Sequence, residues 1–230
     1  MLTVEPEVWD RLPGMRIVVV EAGALTNFVP LPELEAELAS CAAELRRGWR
    51  HDNPQSHPRL APWRAAMKAI GAGKKQACSV EALVRRALQE KPAPEVSPLV
   101  DFYNLVSLRH LVPAGGWDAD EIDYMLDAEL ELRFTRDGDR FRPLGAAEDE
   151  EVPVPAGELA YVAGDEVLTR HFVWRQSEWA KITPETARVV LVSEILPELG
   201  EGAAEEVRDA LVAGLKRYFD AEARATIVQR

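Results

Sequence analysis

Cysteine is nearly missing from this chain: Cys41 and Cys78 are the two among 230 residues. They fall on separate predicted helices without metal-ligand spacing, so neither a secreted-type disulfide framework nor a thiolate metal site can be built from them. Reduced thiols and a cytoplasmic setting are expected. Long hydrophobic runs are missing as well. No segment approaches the ~18 consecutive apolar residues that would cross a bilayer. Met1 is followed by Leu-Thr-Val-Glu-Pro rather than by a basic and then apolar targeting stretch. A soluble, unprocessed protein with no membrane partner is expected. The common catalytic signatures are also lacking. There is no Gly-x-Ser-x-Gly elbow and no Cys–His pair suggested by spacing, which argues against covalent catalysis. No Walker-type phosphate loop occurs, and Gly71-Ala-Gly73 follows a predicted helix rather than a strand, so it is no dinucleotide fingerprint. His51, Asp52 and His57 share one loop without the i, i+4 helical spacing that would organise a metal site. No metal and no cofactor are expected.

Basic charge is the scarcer sign, with 27 Lys and Arg against 39 Asp and Glu and a net charge of −12, which taken alone argues against a DNA or RNA partner. The distribution reverses part of that inference. Between residues 46 and 91 there are 11 basic side chains against three acidic ones, a local +8 that leaves −20 on the rest. A basic segment on an acidic body steers a polyanion to one face and repels it elsewhere; the alternative is a set of solvated helix faces.

Hydrophobic residues make up 47% of the chain, enough for one good core, and no repeat or linker divides it, so a single domain over residues 1–230 is expected. Residues 15–20, MRIVVV, predict a strand. Helices are predicted over 30–49, 62–70, 80–90 with Ser79 as N-cap, and 203–219. Residues 91–95, Lys-Pro-Ala-Pro-Glu, break the third of these. Strand-like pieces lie at 129–135, 140–142, 159–162, 166–174 and 188–193, separated by turn signals such as Asp137-Gly138-Asp139 and by an acidic loop at 148–151. Helices in the first half and strands in the second predict an α+β fold with a mainly antiparallel sheet.

Residues 97–118, SPLVDFYNLVSLRHLVPAGGWD, carry the most information. Ser97 as N-cap and Pro98 in the first turn open a helix that is apolar almost all round. Asp101, Asn104 and Ser107 follow at three-residue spacing along one polar seam. Burial without partners would cost each about 1–3 kcal/mol. The partner is either backbone or a ligand in a pocket roofed by the Gly115-Gly116 turn. Two further polar residues stand out. In residues 166–174, EVLTRHFVW, strand alternation puts Arg170 on the face of Leu168, Phe172 and Trp174. Either its stem lies flat across the aromatics or its guanidinium faces a carboxylate or phosphate in a cleft, a site that Arg175 and Lys181 would extend. Glu194 closes the run RVVLVSEIL. It is either exposed at a strand end or faces a pocket, where it could hold the ammonium of an amino acid or orient a water for ester hydrolysis.

These segments, in order with HPRLAPWRAAMKAIG, CSVEALVRRAL, FRPLG and PAGELAYVAGDEVLTRHFVWRQSEWAKIT, resemble the B3/B4 domain, the editing module of the bacterial phenylalanyl-tRNA synthetase β subunit, in a freestanding form. The resemblance covers most of the chain. It implies an α+β fold with a cleft that receives the aminoacylated 3′ end of a tRNA and hydrolyses the ester of a wrong amino acid. Its pocket segments fall on 113–118 and on Glu194. Gly115 and Gly116 stand where the synthetase module has a histidine before an aromatic-Asp pair, and Trp174 and Arg175 replace its glycine pair, so tyrosine is not assumed as the rejected amino acid. The expected site has Glu194 as the catalytic group and Asp101, Asn104, Ser107, Gly115, Gly116, Asp118 and Trp174 around the substrate. Arg64, Lys68, Lys74, Lys75, Arg85, Arg170 and Arg175 are expected to contact tRNA. Ester hydrolysis needs a positioned water and a polarised carbonyl rather than a protein nucleophile, which fits the missing triad. The competing class is a non-catalytic module that grips an aminoacyl-tRNA or a free amino acid.

Overall fold

The computed structural model of the chain describes residues 2–92, 96–147 and 150–230, so parts of the breaker at 91–95 and of the acidic loop at 148–151 lie outside the described residues. The chain opens with β1 (Thr3–Val4), α1 (Pro6–Arg11) and β2 (Arg16–Ala22). Four helices follow: α2 (Pro32–Gly48), α3 (Ala61–Ala69), α4 (Ser79–Leu88) and α5 (Pro98–His110). The second half is strand-rich, with β3 (Gly115–Asp118), β4 (Leu130–Phe134), β5 (Arg140–Phe141), β6 (Val152–Pro153), β7 (Leu159–Ala163), β8 (Glu166–Arg170), β9 (Arg175–Gln176) and β10 (Val189–Ile195). It closes with α6 (Ala203–Phe219) and β11 (Ala223–Val228).

The fold is α+β, with a mainly antiparallel arrangement of strands. Its strands form two sheets, one ordered β11-β2-β10-β3 and one ordered β1-β4-β7-β8-β5-β6 with β9 beside β8. Pairing is antiparallel except between β1 and β4 and between β5 and β8. Alternation along β7 serves two cores. Leu159, Tyr161 and Ala163 join the large apolar cluster shared with the helices and the four-stranded sheet, while Ala160 and Val162 join a smaller cluster with Phe141, Val154 and Val167. Tyr161 thus points toward β10, and the two sheets meet there.

Three sequence expectations need correction. Gly115 and Gly116 do not form a turn: they pair with Val192 and Leu191 as the edge strand β3. Gly116 is required there because a Cβ would lie 2.6 Å from Leu191 Cδ2 and 2.7 Å from the Val190 carbonyl oxygen. The strand expected over 166–174 stops at Arg170, since His171 and Phe172 both take left-handed φ angles of 45° and reverse the chain before β9. Ser79 is the first residue of α4 rather than its cap, which is Cys78.

Ser97 does stand at the N-cap of α5, yet its hydroxyl makes no capping bond. Asn27 supplies it from another segment, its Oδ1 accepting the Leu99 amide at 2.8 Å while its Nδ2 donates to the Thr183 carbonyl at 2.7 Å. At the other end Leu111 is left-handed (φ 54°), and the Ser107 hydroxyl donates to the Val112 carbonyl at 2.6 Å. One member of the polar seam is thereby a backbone partner.

Candidate functional site

The deepest carboxylate at the sheet junction is Glu194, 2% exposed. It shares a β10 face with Val192, and both line a cavity of about 180 Å³. Strand β3 contributes Gly115, Gly116 and Trp117, helix α5 contributes Tyr103 and Asn104, and the reversal after β8 contributes Phe172, Val173 and Trp174. Ser79, at the start of α4, closes one side. Its amide donates to the Val173 carbonyl at 2.7 Å and so ties the helix to the reversal. Gln176 lines the cavity too, with its Nε2 3.3 Å from the Gly116 carbonyl it donates to.

Glu194 is held from behind. The Tyr161 hydroxyl donates to Glu194 Oε1 at 2.5 Å, and the Tyr161 ring packs on Trp117 with centroids 4.7 Å apart. Burial raises the Glu194 pKa from its ordinary 4.5 to about 7, the Tyr161 hydrogen bond opposing that shift. The same burial and the facing carboxylate push the Tyr161 phenol well up. A carboxyl group poised near neutrality, in a cavity walled by aromatic rings, can accept a proton, release one, or meet a cation.

Of the residues expected at the substrate, Asn104, Gly115, Gly116, Trp174 and Glu194 come together here. Three do not. Ser107 is bound to Val112 as described. Asp118 closes the turn after β3, accepting the Thr186 hydroxyl at 2.7 Å and the Asp120 and Glu121 amides at 2.9 and 3.1 Å. Asp101 is half-buried and lines a separate cavity of about 610 Å³ between α2, α4 and the start of α5. The expectation of a fully buried seam fails for Asp101 and Asn104 because the 100° helical step carries both out to cavity walls rather than into the core.

The expected tRNA contacts also divide. Glu81, 2% exposed, accepts Arg64 at 2.6 Å, Arg85 at 2.5 Å and Gln55 at 3.0 Å through one oxygen, so those two arginines balance a buried charge. Arg170 likewise faces Glu158, at 2.9 and 2.5 Å, while lying 5.9 Å from the Trp174 ring centroid. Lys68, Lys74, Lys75 and Arg175 are exposed. Lys74 and Lys75 lie on the loop that leads into Ser79 at the cavity wall.

Sequence reasoning missed Tyr161, Tyr103 and Phe172, and reached Trp117 only as part of the segment 113–118. Tyr161 had a legible signal, a phenol inside the apolar strand LAYVA that needs a hydrogen-bond partner when buried. It also missed the support behind Trp174. Glu158 accepts the His171 amide at 3.1 Å, and the His171 and Trp174 rings are 5.4 Å apart. Burial lowers the His171 pKa, and its Nδ1 is buried with no hydrogen-bond partner among the described residues.

The sequence pattern of the B3/4 domain matches residues 62–203 of this chain, a span that contains all the described residues lining the Glu194 cavity. The chain belongs to the B3/4 domain family. Among solved structures it is similar to the "N-terminal Fragment Of The Phenylalanyl-tRNA Synthetase Beta-Subunit From Pyrococcus Horikoshii", at 10% identity and a TM-score of 0.47. That alignment covers 100% of this chain and 54% of the fragment, so this B3/4 protein spans about half its length. No curated protein matches the chain. No helix among the described residues is long and apolar enough to cross a membrane.

Proposed function

We propose that this B3/4 protein hydrolyses the ester bond of wrongly charged aminoacyl-tRNA in trans. The observation that carries the reading is Glu194, a carboxyl group with a pKa of about 7 buried at the wall of a small aromatic cavity, held from behind by Tyr161. The aminoacyl end enters between β3 and the Phe172–Trp174 reversal. Glu194 either orients the attacking water or binds the substrate's amino group, and Asn104 and Gln176 offer amides to the ester and its leaving ribose. Arg175 and the exposed Lys74 and Lys75 meet the phosphates of the acceptor end. Family membership supports the reading through the editing module that the sequence resembles. The test is a panel of misacylated tRNAs with ester loss timed against buffer. Acceleration for at least one amino acid, lost in Glu194→Gln, is expected; no acceleration for any tRNA would sink the enzymatic reading.

A second reading, a module that binds aminoacyl-tRNA without cleaving it, is favoured by one observation. No histidine is among the described residues that line the cavity. It differs by outcome: tRNA binding that weakens with salt, without ester loss.

A further inference from the structure

Among the described residues that line its cavity, Glu194 has no counter-ion. The cavity it lines includes no lysine or arginine among the described residues. The titratable groups that face it are Tyr161 from β7, Tyr103 from α5 and Cys78 at the entry to α4. All three are neutral at pH 6 to 8, because burial raises both phenols and pushes the Cys78 thiol up to about 12. On β2 the residue paired with Glu194 is Ile17, and on the other side β3 pairs only as far as Val192, with Gly115 opposite it. A carboxylate buried without a cation holds a proton instead, and aromatic faces such as Trp117, Trp174, Phe172 and Tyr103 favour a cation in the space they enclose.

We infer that this cavity takes the primary ammonium group of its ligand, which displaces the proton of Glu194, and that Tyr161 is the positioning residue that leaves one carboxylate oxygen to meet it. The inference rests on the reading of this cavity as the aminoacyl site and decides between the two roles left open for Glu194 there. The exchange balances as one neutral carboxylic acid plus one ammonium ligand giving a carboxylate–ammonium pair and one proton released to solvent. Tyr161 fixes the geometry. Its hydroxyl occupies Oε1 and its ring is clamped by Trp117, so the second oxygen is the one available to a ligand. A ligand offering only a hydroxyl would bind without releasing the proton.

The experiment is calorimetry of the full chain at pH 6 in buffers of different ionisation enthalpy, which counts protons released per ligand. The probes are 3′-aminoacylamino-3′-deoxyadenosines, whose amide replaces the labile ester, from a panel of amino acids, each beside its counterpart lacking the α-amino group. With Glu194 about nine-tenths protonated at that pH, release of about 0.9 proton per bound ligand is expected, falling to about half a proton at pH 7. The des-amino counterparts are expected to bind at least tenfold more weakly and release none. Tyr161→Phe removes only the hydroxyl that favours ionised Glu194; it is expected to bind more weakly yet release more protons per ligand at pH 7, a change that a merely structural role would not produce. Glu194→Gln is expected to release none. Binding without proton release at pH 6, or equal binding of the des-amino probes, overturns this inference and leaves the aminoacyl reading standing. No binding by any probe overturns both.

Discussion

Keeping a carboxyl group inside a protein without a counter-ion makes stability depend on pH in a direction that can be worked out in advance. Glu194 titrates near 7 when folded and near 4.5 when unfolded, so between those values the folded chain binds more protons and its stability falls as pH rises. Glu166, also raised to about 7 by burial, adds to the same slope. Glu194→Gln removes one contribution. In urea denaturation the stability of this variant relative to the parent is expected to improve by about 1–3 kcal/mol between pH 5 and pH 8. A difference that stays flat with pH would contradict the buried, unpaired state. The paired glycines of β3 give a second residue-scale contrast. A Cβ on Gly115 meets nothing within 4 Å, whereas one on Gly116 collides with β10. Gly115→Ala is expected to fold with stability within about 1 kcal/mol of the parent while narrowing the cavity. Gly116→Ala is expected to lose about 1–3 kcal/mol, the usual cost of overpacking. Equal melting shifts for the two would refute the strand pairing that separates them.

Elements were legible in the sequence to the extent that their signal was local. Helix α6 matches its expected bounds of 203–219, and α2 and α3 differ by one or two residues at each end, because a 3.6-residue apolar period sustained over more than two turns has no competing reading. β3 and β11 were missed for the opposite reason. Gly-Gly reads as a turn until Val192 and Leu191 pair with it, and the strand at 223–228 exists because β2 offers it an edge. The EVLTRHFVW segment alternates well enough to be a strand throughout. What ends it at Arg170 is the demand of a buried Glu158 for both the Arg170 guanidinium and the His171 amide, a tertiary effect invisible to periodicity. The site residues divide along the same line: Glu194 and Asn104 could be named from their odd company, but Tyr161 becomes significant only when the second sheet brings it to Glu194. Between α5 and α6 the packing is close enough to test. A Cβ on Gly214 would sit 2.1 Å from Phe102 Cε2, and Phe102 is 1% exposed. Helix propensity alone favours Gly214→Ala by about 1 kcal/mol, yet overpacking is expected to win, with a net loss of about 1–2 kcal/mol in thermal or chemical denaturation. A stabilised variant would mean that α5 and α6 can move apart at little cost.

Across the whole molecule, the charge asymmetry is partly structural. Arg64 and Arg85 converge on Glu81, and Arg59 and Arg86 donate to the carbonyls of His110 and Pro92, so several basic side chains of residues 46–91 hold the helical half together. Those left for a polyanion include the exposed lysines on α3 and on the loop into α4, the latter two next to the cavity wall. A separation follows between charges that bind and charges that fold. Replacing both Lys74 and Lys75 with Gln is expected to leave the melting temperature unchanged, to weaken tRNA binding, and to lower the slope of log affinity against log salt by about two, one for each phosphate contact removed. Arg64→Ala is expected to do the reverse, destabilising the fold by about 2 kcal/mol or more because Glu81 loses part of its compensation, with the salt slope of the protein that remains folded unchanged. Lys216→Gln serves as the control, since its ammonium lies on α6 between Asp220 and Glu222 and that helix contributes nothing to the described cavity lining. If Lys216→Gln lowers the slope as much as the loop lysines do, binding follows net charge alone and the acceptor end has no preferred path to Glu194.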